Sequence, residues 1–173
     1  MSRIAVGLIF ILIVIVITRT VPRSRVLPWL LALVYVGGIV FLAFLIRQPG
    51  DVGRLNTVPF WALKRSVSLL GPTVFSGIRI VNKVLFQDVI LNVLLFIPFG
   101  LLFPVLFRKT AAIVFTVPAG FLASLCIETV QYITRLGTAD VDDLINNTLG
   151  ALIGLILYLI FVRRAVRKVS QEL

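Results

Sequence analysis

"ILNVLLFIPFGLLFPVLFRKTAAIVFTVPAGFLASLCIETVQYIT", Ile90 to Thr134, holds two long apolar runs parted by one basic pair, Arg108–Lys109. At 1.5 Å per residue, a run of about twenty residues spans the roughly 30 Å of a bilayer's hydrocarbon core. The basic pair leaves room only for a tight turn, so the stretch predicts a helical hairpin that crosses a membrane twice. Pro98, Pro104 and Pro118 lie inside these runs. They would break helices in a soluble domain, whereas membrane helices accept them as kinks.

Composition agrees. The chain has 173 residues, 60% of them hydrophobic and 14% charged, with a mean hydropathy of +1.10. A soluble domain of this size needs a polar shell that these residues do not supply. The net charge of +10 does not indicate a nucleic-acid partner. Most Lys and Arg sit between or beside apolar runs, where topology signals and lipid headgroup contacts are expected, and no basic stripe interleaves with aromatics. Cys126 is the only cysteine and histidine is absent. That removes disulfides, Cys-His and Ser-His-Asp sites, and zinc sites as usually built.

Outward from the hairpin, three more apolar runs can be drawn. Ile4–Thr18 is short, but Arg3 and Arg19 can snorkel from its ends. A signal peptide also carries a run of this length, yet no small-x-small site follows in "VITRTVPRSR", so a retained span is expected. Pro28–Ile46 is the second span, about Asp88–Phe107 and Ala111–Thr134 the third and fourth, and about Val141–Val162 the fifth. The fold class is therefore all-α: a polytopic membrane bundle of about five helices. Residues 1–54 form an N-terminal pair of spans, 55–162 the main membrane domain, and 163–173 a basic tail. An external N-terminus places Arg19, Arg23 and Arg25, then Arg108 and Lys109, then Arg163, Arg164, Arg167 and Lys168, all in the cytoplasm. The segment from Arg47 to Lys83 also carries six positive charges and must lie outside; long loops weigh less in that rule. Within it, Phe60, Leu63, Val67 and Leu70 recur at helical spacing opposite Lys64, Arg65 and Ser68, with Trp61 as an interface residue. That predicts an amphipathic helix either on the outer membrane surface or packed on the spans.

One stretch is out of character. "ETVQYITRLGTADVDDLINN", Glu128 to Asn147, holds four of the seven acidic residues in the chain. Glu128, Gln131 and Arg135 are spaced to stack along one face of the fourth helix. Asp140, Asp142, Asp143, Asn146 and Asn147 open the fifth, and Asp88 and Asn92 the third. Three helices thus bring polar faces to one depth, just inside the outer leaflet. A carboxylate in a membrane helix costs about 2.5–3.5 kcal/mol on insertion scales and normally meets a partner or a water-filled cavity. Glu128 is the deepest, and Arg135 is the nearest cation to pair with the acids. Structural roles compete for several residues: interhelical hydrogen bonding for Asn92, Asn146 and Asn147, helix capping for Asp140, close helix contact for Gly150 and Gly154, a kink at Pro98–Gly100, and an apolar buried site for Cys126. For Glu128, Arg135, Asp142 and Asp143, a functional role is the expectation.

Three segments, "LNTVPF" (Leu55–Phe60), "ILNVLLFIPFGLLFP" (Ile90–Pro104) and "IETVQYITRLGTADVDDLINNTLGALIG" (Ile127–Gly154), resemble in order and spacing the VanZ-like family of small bacterial membrane proteins. The resemblance covers roughly Asn56 to Tyr158. It picks out Asn56, Pro59 and Phe60 in a loop, Asn92, Phe96, Pro98 and Gly100 in the third span, Glu128, Gln131 and Arg135 in the fourth, and Asp140, Asp143, Asn147 and Gly150 in the fifth. It implies a multi-pass protein of the bacterial cell membrane, of a family associated with glycopeptide resistance and with no settled molecular activity. The expected function is a non-enzymatic envelope protein that needs no cofactor and no metal. Its outer-leaflet polar pocket would bind the headgroup of a lipid-linked envelope component or an amphiphilic lipoglycopeptide such as teicoplanin. The alternative is an intramembrane enzyme on a lipid or polyprenyl phosphate. There Glu128, Asp140, Asp142 and Asp143 would hold Mg²⁺ or Mn²⁺, Arg135 would neutralise phosphate, or a desolvated Glu128 would act as general acid or base. No nucleophile motif or phosphate-cradling loop supports it, and no catalytic residue is assigned. Transport by a homo-oligomer joined through Gly150 and Gly154 is a minor third reading.

Overall fold

The computed structural model describes residues 12, 26–41, 55–60, 77–107, 110–136 and 139–164, with 77–88 as backbone only. Helix α1 is Val26–Val40, α2 Gly77–Phe107, α3 Thr110–Thr134 and α4 Val141–Leu157, which continues through a π turn at Tyr158–Val162. Three stretches, Val89–Phe107, Thr110–Thr134 and Val141–Val162, are long and apolar enough to cross a membrane. They coincide with the third, fourth and fifth expected spans, although α2 starts at Gly77, well before Asp88. The second span is represented by α1, a shorter apolar helix. The first span apart from Leu12, the surface helix around Trp61, Lys64 and Arg65, the side chain of Asp88, the Arg108–Lys109 turn and the tail beyond Arg164 lie outside the described residues.

Helix α3 is packed inside-out relative to a helix of a soluble protein, against an otherwise apolar core. On α3 the buried positions are Ala112, Thr116, Gly120, Ser124, Glu128 and Gln131, while Val114 and Ile133 are each 71% exposed. Small and polar side chains thus share one face at a spacing of about four residues, and the large apolar ones point away. Such an arrangement is stable where the surrounding solvent is hydrocarbon.

The tightest contact joins α2 to α4. A Cβ built on Gly100 would stand 2.1 Å from the Ala151 carbonyl oxygen, one on Gly154 2.1 Å from that of Ile97, and one on Gly150 2.2 Å from that of Val93. The two backbones touch along this seam, and only glycine leaves the room. Gly150 and Gly154 permit close helix contact as expected, but the contact is within the chain, so a homo-oligomer would need another face. Gly100, read as part of a kink, is the third member of the same seam. Gly120 admits Ala151 and sets α3 against α4.

Helix α1 runs antiparallel to α2. Its buried Tyr35 hydroxyl donates to the Leu95 carbonyl at 2.9 Å, and Trp29 meets Phe107 edge-on, with ring centroids 6.2 Å apart. Tyr35, Val105, Tyr158 and Val162 share one apolar cluster. The start of α1, the end of α2, the start of α3 and the end of the π turn therefore lie at one end of the bundle. The sequence expectation also lacked a small element: Leu55 and Asn56 pair in parallel with Ala139 and Asp140. That ladder closes the opposite end.

Candidate functional site

At that opposite end the chain has three irregular passages: the 55–60 loop, the α3–α4 connection and the first turn of α4. Backbone N–H groups there that fall outside the helical ladder need other acceptors. Carboxylates supply them. Asp140 caps α4, its Oδ1 accepting from the Asp142 N–H at 2.9 Å. The Asp140 N–H itself donates to Glu128 Oε2 at 2.9 Å. The Phe60 N–H donates to Asp142 Oδ1.

Side chains complete the network. Asn56 Nδ2 donates to Asp140 Oδ2 at 3.0 Å, while its Oδ1 accepts from the Val58 N–H at 3.2 Å. Both ends of one amide are thereby used, one on its own loop and one on the α3–α4 connection. Pro59 and Phe60 follow, and Phe60 takes the left-handed conformation with φ 58°. That turn aims its N–H at Asp142 and leaves its ring half exposed. Asn92 on α2 donates to Asp143 Oδ1 on α4. One turn deeper, Asn147 Nδ2 donates to Ser124 Oγ on α3 at 2.9 Å.

The structure therefore joins Asn56, Phe60, Glu128, Asp140 and Asp142 in one hydrogen-bonded network, sets the Asn92–Asp143 and Asn147–Ser124 pairs beside it, and buries Gln131 on the same face of α3 as Glu128. Glu128 is 7% exposed and Gln131 2%. Pro59 shapes the loop and stays exposed. Capping by Asp140 and interhelical bonding by Asn92 and Asn147 hold as expected. Asp142 and Asp143 lie in the first turn of α4, where a carboxylate complements the positive end of the helix dipole.

Three expectations need correction. Arg135 does not continue the Glu128–Gln131 face: α3 ends at Thr134, and Arg135 turns out with φ 58° and stands exposed. Its expected ion pair with the acids is not formed among the described residues. Asn146 stays half-buried, and its side chain makes no hydrogen bond within the described network. Cys126 is exposed, not buried; two positions from both Ser124 and Glu128, it faces away from the inner stripe.

Two contributors escaped the sequence reading. Ser124 lies four residues before Glu128, a spacing that would have placed it on the buried face. The Tyr35 hydroxyl bonds a carbonyl sixty residues away in sequence, which no local pattern shows. Among the described residues, no group of three or more His, Cys, Asp or Glu is placed to hold a metal ion.

The chain is 43% identical over 75 residues to Protein VanZ of Enterococcus faecium, a match covering 42% of this chain and 45% of that protein. No solved structure matches. The VanZ/LLP1 family matches residues 8–162, from the first apolar run through the polar network to the π turn, and with its apolar helices the chain is a membrane protein belonging to that family.

Proposed function

We propose that this chain is a non-enzymatic envelope protein whose network end faces the cell exterior and binds the polar headgroup of an amphiphile. The ligand class is a lipid-linked envelope component or a lipid-tailed glycopeptide of the teicoplanin kind. One observation carries the reading. Buried carboxylates fix a loop whose Val58, Pro59 and Phe60 remain exposed, at the same bundle end as an exposed Arg135 and above lipid-facing apolar helices. An amphiphile needs a polar contact and hydrocarbon side by side, and this end supplies both. Among the described residues of this end, Arg135 is the cation free to meet an anionic group, since the acids of the network bond to protein donors instead of to it.

The proposed topology has five spans, an external N-terminus and a cytoplasmic C-terminus, with an amphipathic segment outside between the second and third. Support comes from the antiparallel helices: the ends nearest the three basic clusters in sequence fall at one end of the bundle, and the described acidic side chains at the other. A homo-oligomer remains compatible if it uses a lipid-facing surface.

The test is expression in a teicoplanin-sensitive bacterium, with variants matched for membrane abundance. Arg135→Ala should abolish any gain in the tolerated concentration. Glu128→Gln keeps an acceptor for Asp140 and removes only charge, so it should keep the fold and report whether charge matters. If the wild type gives no gain over empty vector, the antibiotic version fails. The envelope-lipid version is then tested by lipids co-purified with wild type and with Arg135→Ala; identical profiles would sink it.

A further inference from the structure

The other end of the bundle holds a partly covered cation that meets no counter-charge among the described residues. Arg163 follows the π turn, and its backbone N–H bonds back to the Tyr158 carbonyl. Its side chain is partly covered, and Nε is buried with no hydrogen-bond partner. A guanidinium keeps its charge at any physiological pH and presents its N–H groups in a planar fork. A buried, unmet donor on such a group calls for an anion. Among the described residues none lies nearby. Every described acid lies at the network end, and α4 with its π turn separates Asp143 from Arg163 by about twenty residues, roughly 30 Å. That distance is several Debye lengths at physiological salt.

The surroundings specify the anion further. At this end Trp29, Phe107, Ile160 and Phe161 are all exposed apolar residues, and Trp29 packs on Phe107. Arg164 is exposed, and the sequence puts Arg108 and Lys109 between α2 and α3, whose ends lie here. A soluble anion would leave the aromatic surface to lipid chains in any case. A glycerophospholipid uses both features, its phosphate on Arg163 and its acyl chains along Ile160 and Phe161. We infer that Arg163 anchors the phosphate of one anionic phospholipid, such as phosphatidylglycerol, at the basic end of the bundle. This site is separate from the headgroup site proposed above and does not depend on it.

Native mass spectrometry of the full chain, purified with a mixture of phosphatidylglycerol and phosphatidylcholine, tests the assignment. The wild type should retain one phosphatidylglycerol at collision energies that strip phosphatidylcholine. Arg163→Gln should lower that retention at least about tenfold, as the loss of a charge-assisted pair predicts, while Arg164→Gln changes it little. Arg163→Lys keeps the charge and loses the fork, so an intermediate retention is expected, and it serves as the folded reference if Arg163→Gln does not accumulate. Equal retention of the two lipids by the wild type overturns the inference. So does retention unaffected by both Arg163 variants, or displacement of the lipid by millimolar inorganic phosphate, which would mark a free-anion site.

Discussion

Asp140 is the residue on which the network end turns, and its replacement can be worked through bond by bond. Its carboxylate accepts twice, from the Asp142 N–H and from Asn56 Nδ2. Loss of an N-cap acceptor costs about 0.5–2 kcal/mol, and loss of a hydrogen bond to a charged group about 1.5–3 kcal/mol. The second figure falls to the low end here because Asp140 is only half-buried. Asp140→Ala should therefore cost about 2–4 kcal/mol. Asp140→Asn isolates the second bond. Asn caps a helix as well as Asp does, but its amide nitrogen would face the Asn56 nitrogen, and Asn56 cannot rotate without giving up Val58. The expected cost is about 1–2 kcal/mol. Combined with Asn56→Ala, Asp140→Asn should add almost nothing, because the bond it breaks is already gone. The assay is equilibrium unfolding in mixed micelles, read by circular dichroism. Two independent costs that simply add, or an Asp140→Ala protein as stable as the wild type, would show that the loop and the α3–α4 connection are not joined through this residue.

Other perturbations follow from the same contacts. Gly154→Val should lose at least the 1–3 kcal/mol typical of overpacking, about as much as an added methylene or more, because backbone stands on the far side; Gly38→Ala, with nothing within 4 Å, should be near neutral in the same unfolding assay. Asn147→Leu should destabilise by about 1–3 kcal/mol by stranding Ser124, and adding Ser124→Ala should recover part of it; no recovery would separate the two residues. Cys126→Phe should accumulate and unfold like the wild type, since the side chain faces outward, whereas burial would make the same change damaging in a thermal-shift measurement.

How much was legible in the sequence depends on whether a residue acts through local or distant partners. The three long apolar helices were legible because hydrocarbon leaves the backbone no option but helix, so length and apolarity suffice. Glu128 was legible as buried because an acid inside an apolar run is expensive and must have a partner. Its partner was not: the Asp140 N–H lies beyond a chain reversal. That reversal also removed Arg135 from the helix, since extending the Glu128 face by periodicity assumes that the helix continues. Gly150 and Gly154 announced themselves by spacing, while Gly100 is a single glycine beside a proline whose role exists only against Ala151 and Gly154. Asn56 and Asp140 are 84 residues apart, and nothing in either segment alone names the other.

The concentration of acids near the α3–α4 connection now has a physical cause apart from any ligand. Outside the helical ladder, the N–H groups of Phe60, Asp140 and Asp142 have no helical acceptor, and each is met by a carboxylate. A carboxylate is the strongest acceptor a side chain can offer, and three of them in reach of three orphan donors make the reversal rigid. Under the proposed function, the groups left for a ligand are those this scaffold leaves accessible: Arg135, the half-buried Asn146 and the exposed Val58–Phe60 turn. A division of labour of that kind separates two classes of variant. Changes at Glu128, Asp140 or Asp142 that remove an acceptor should lower the amount of folded protein, measured as monodisperse material after extraction. Changes at Arg135 or Asn146 should leave that amount unchanged and alter only what the protein binds. If Arg135→Ala reduced the folded yield as much as Asp140→Ala does, Arg135 would belong to the scaffold, and the described surface of this end would have no cation to offer.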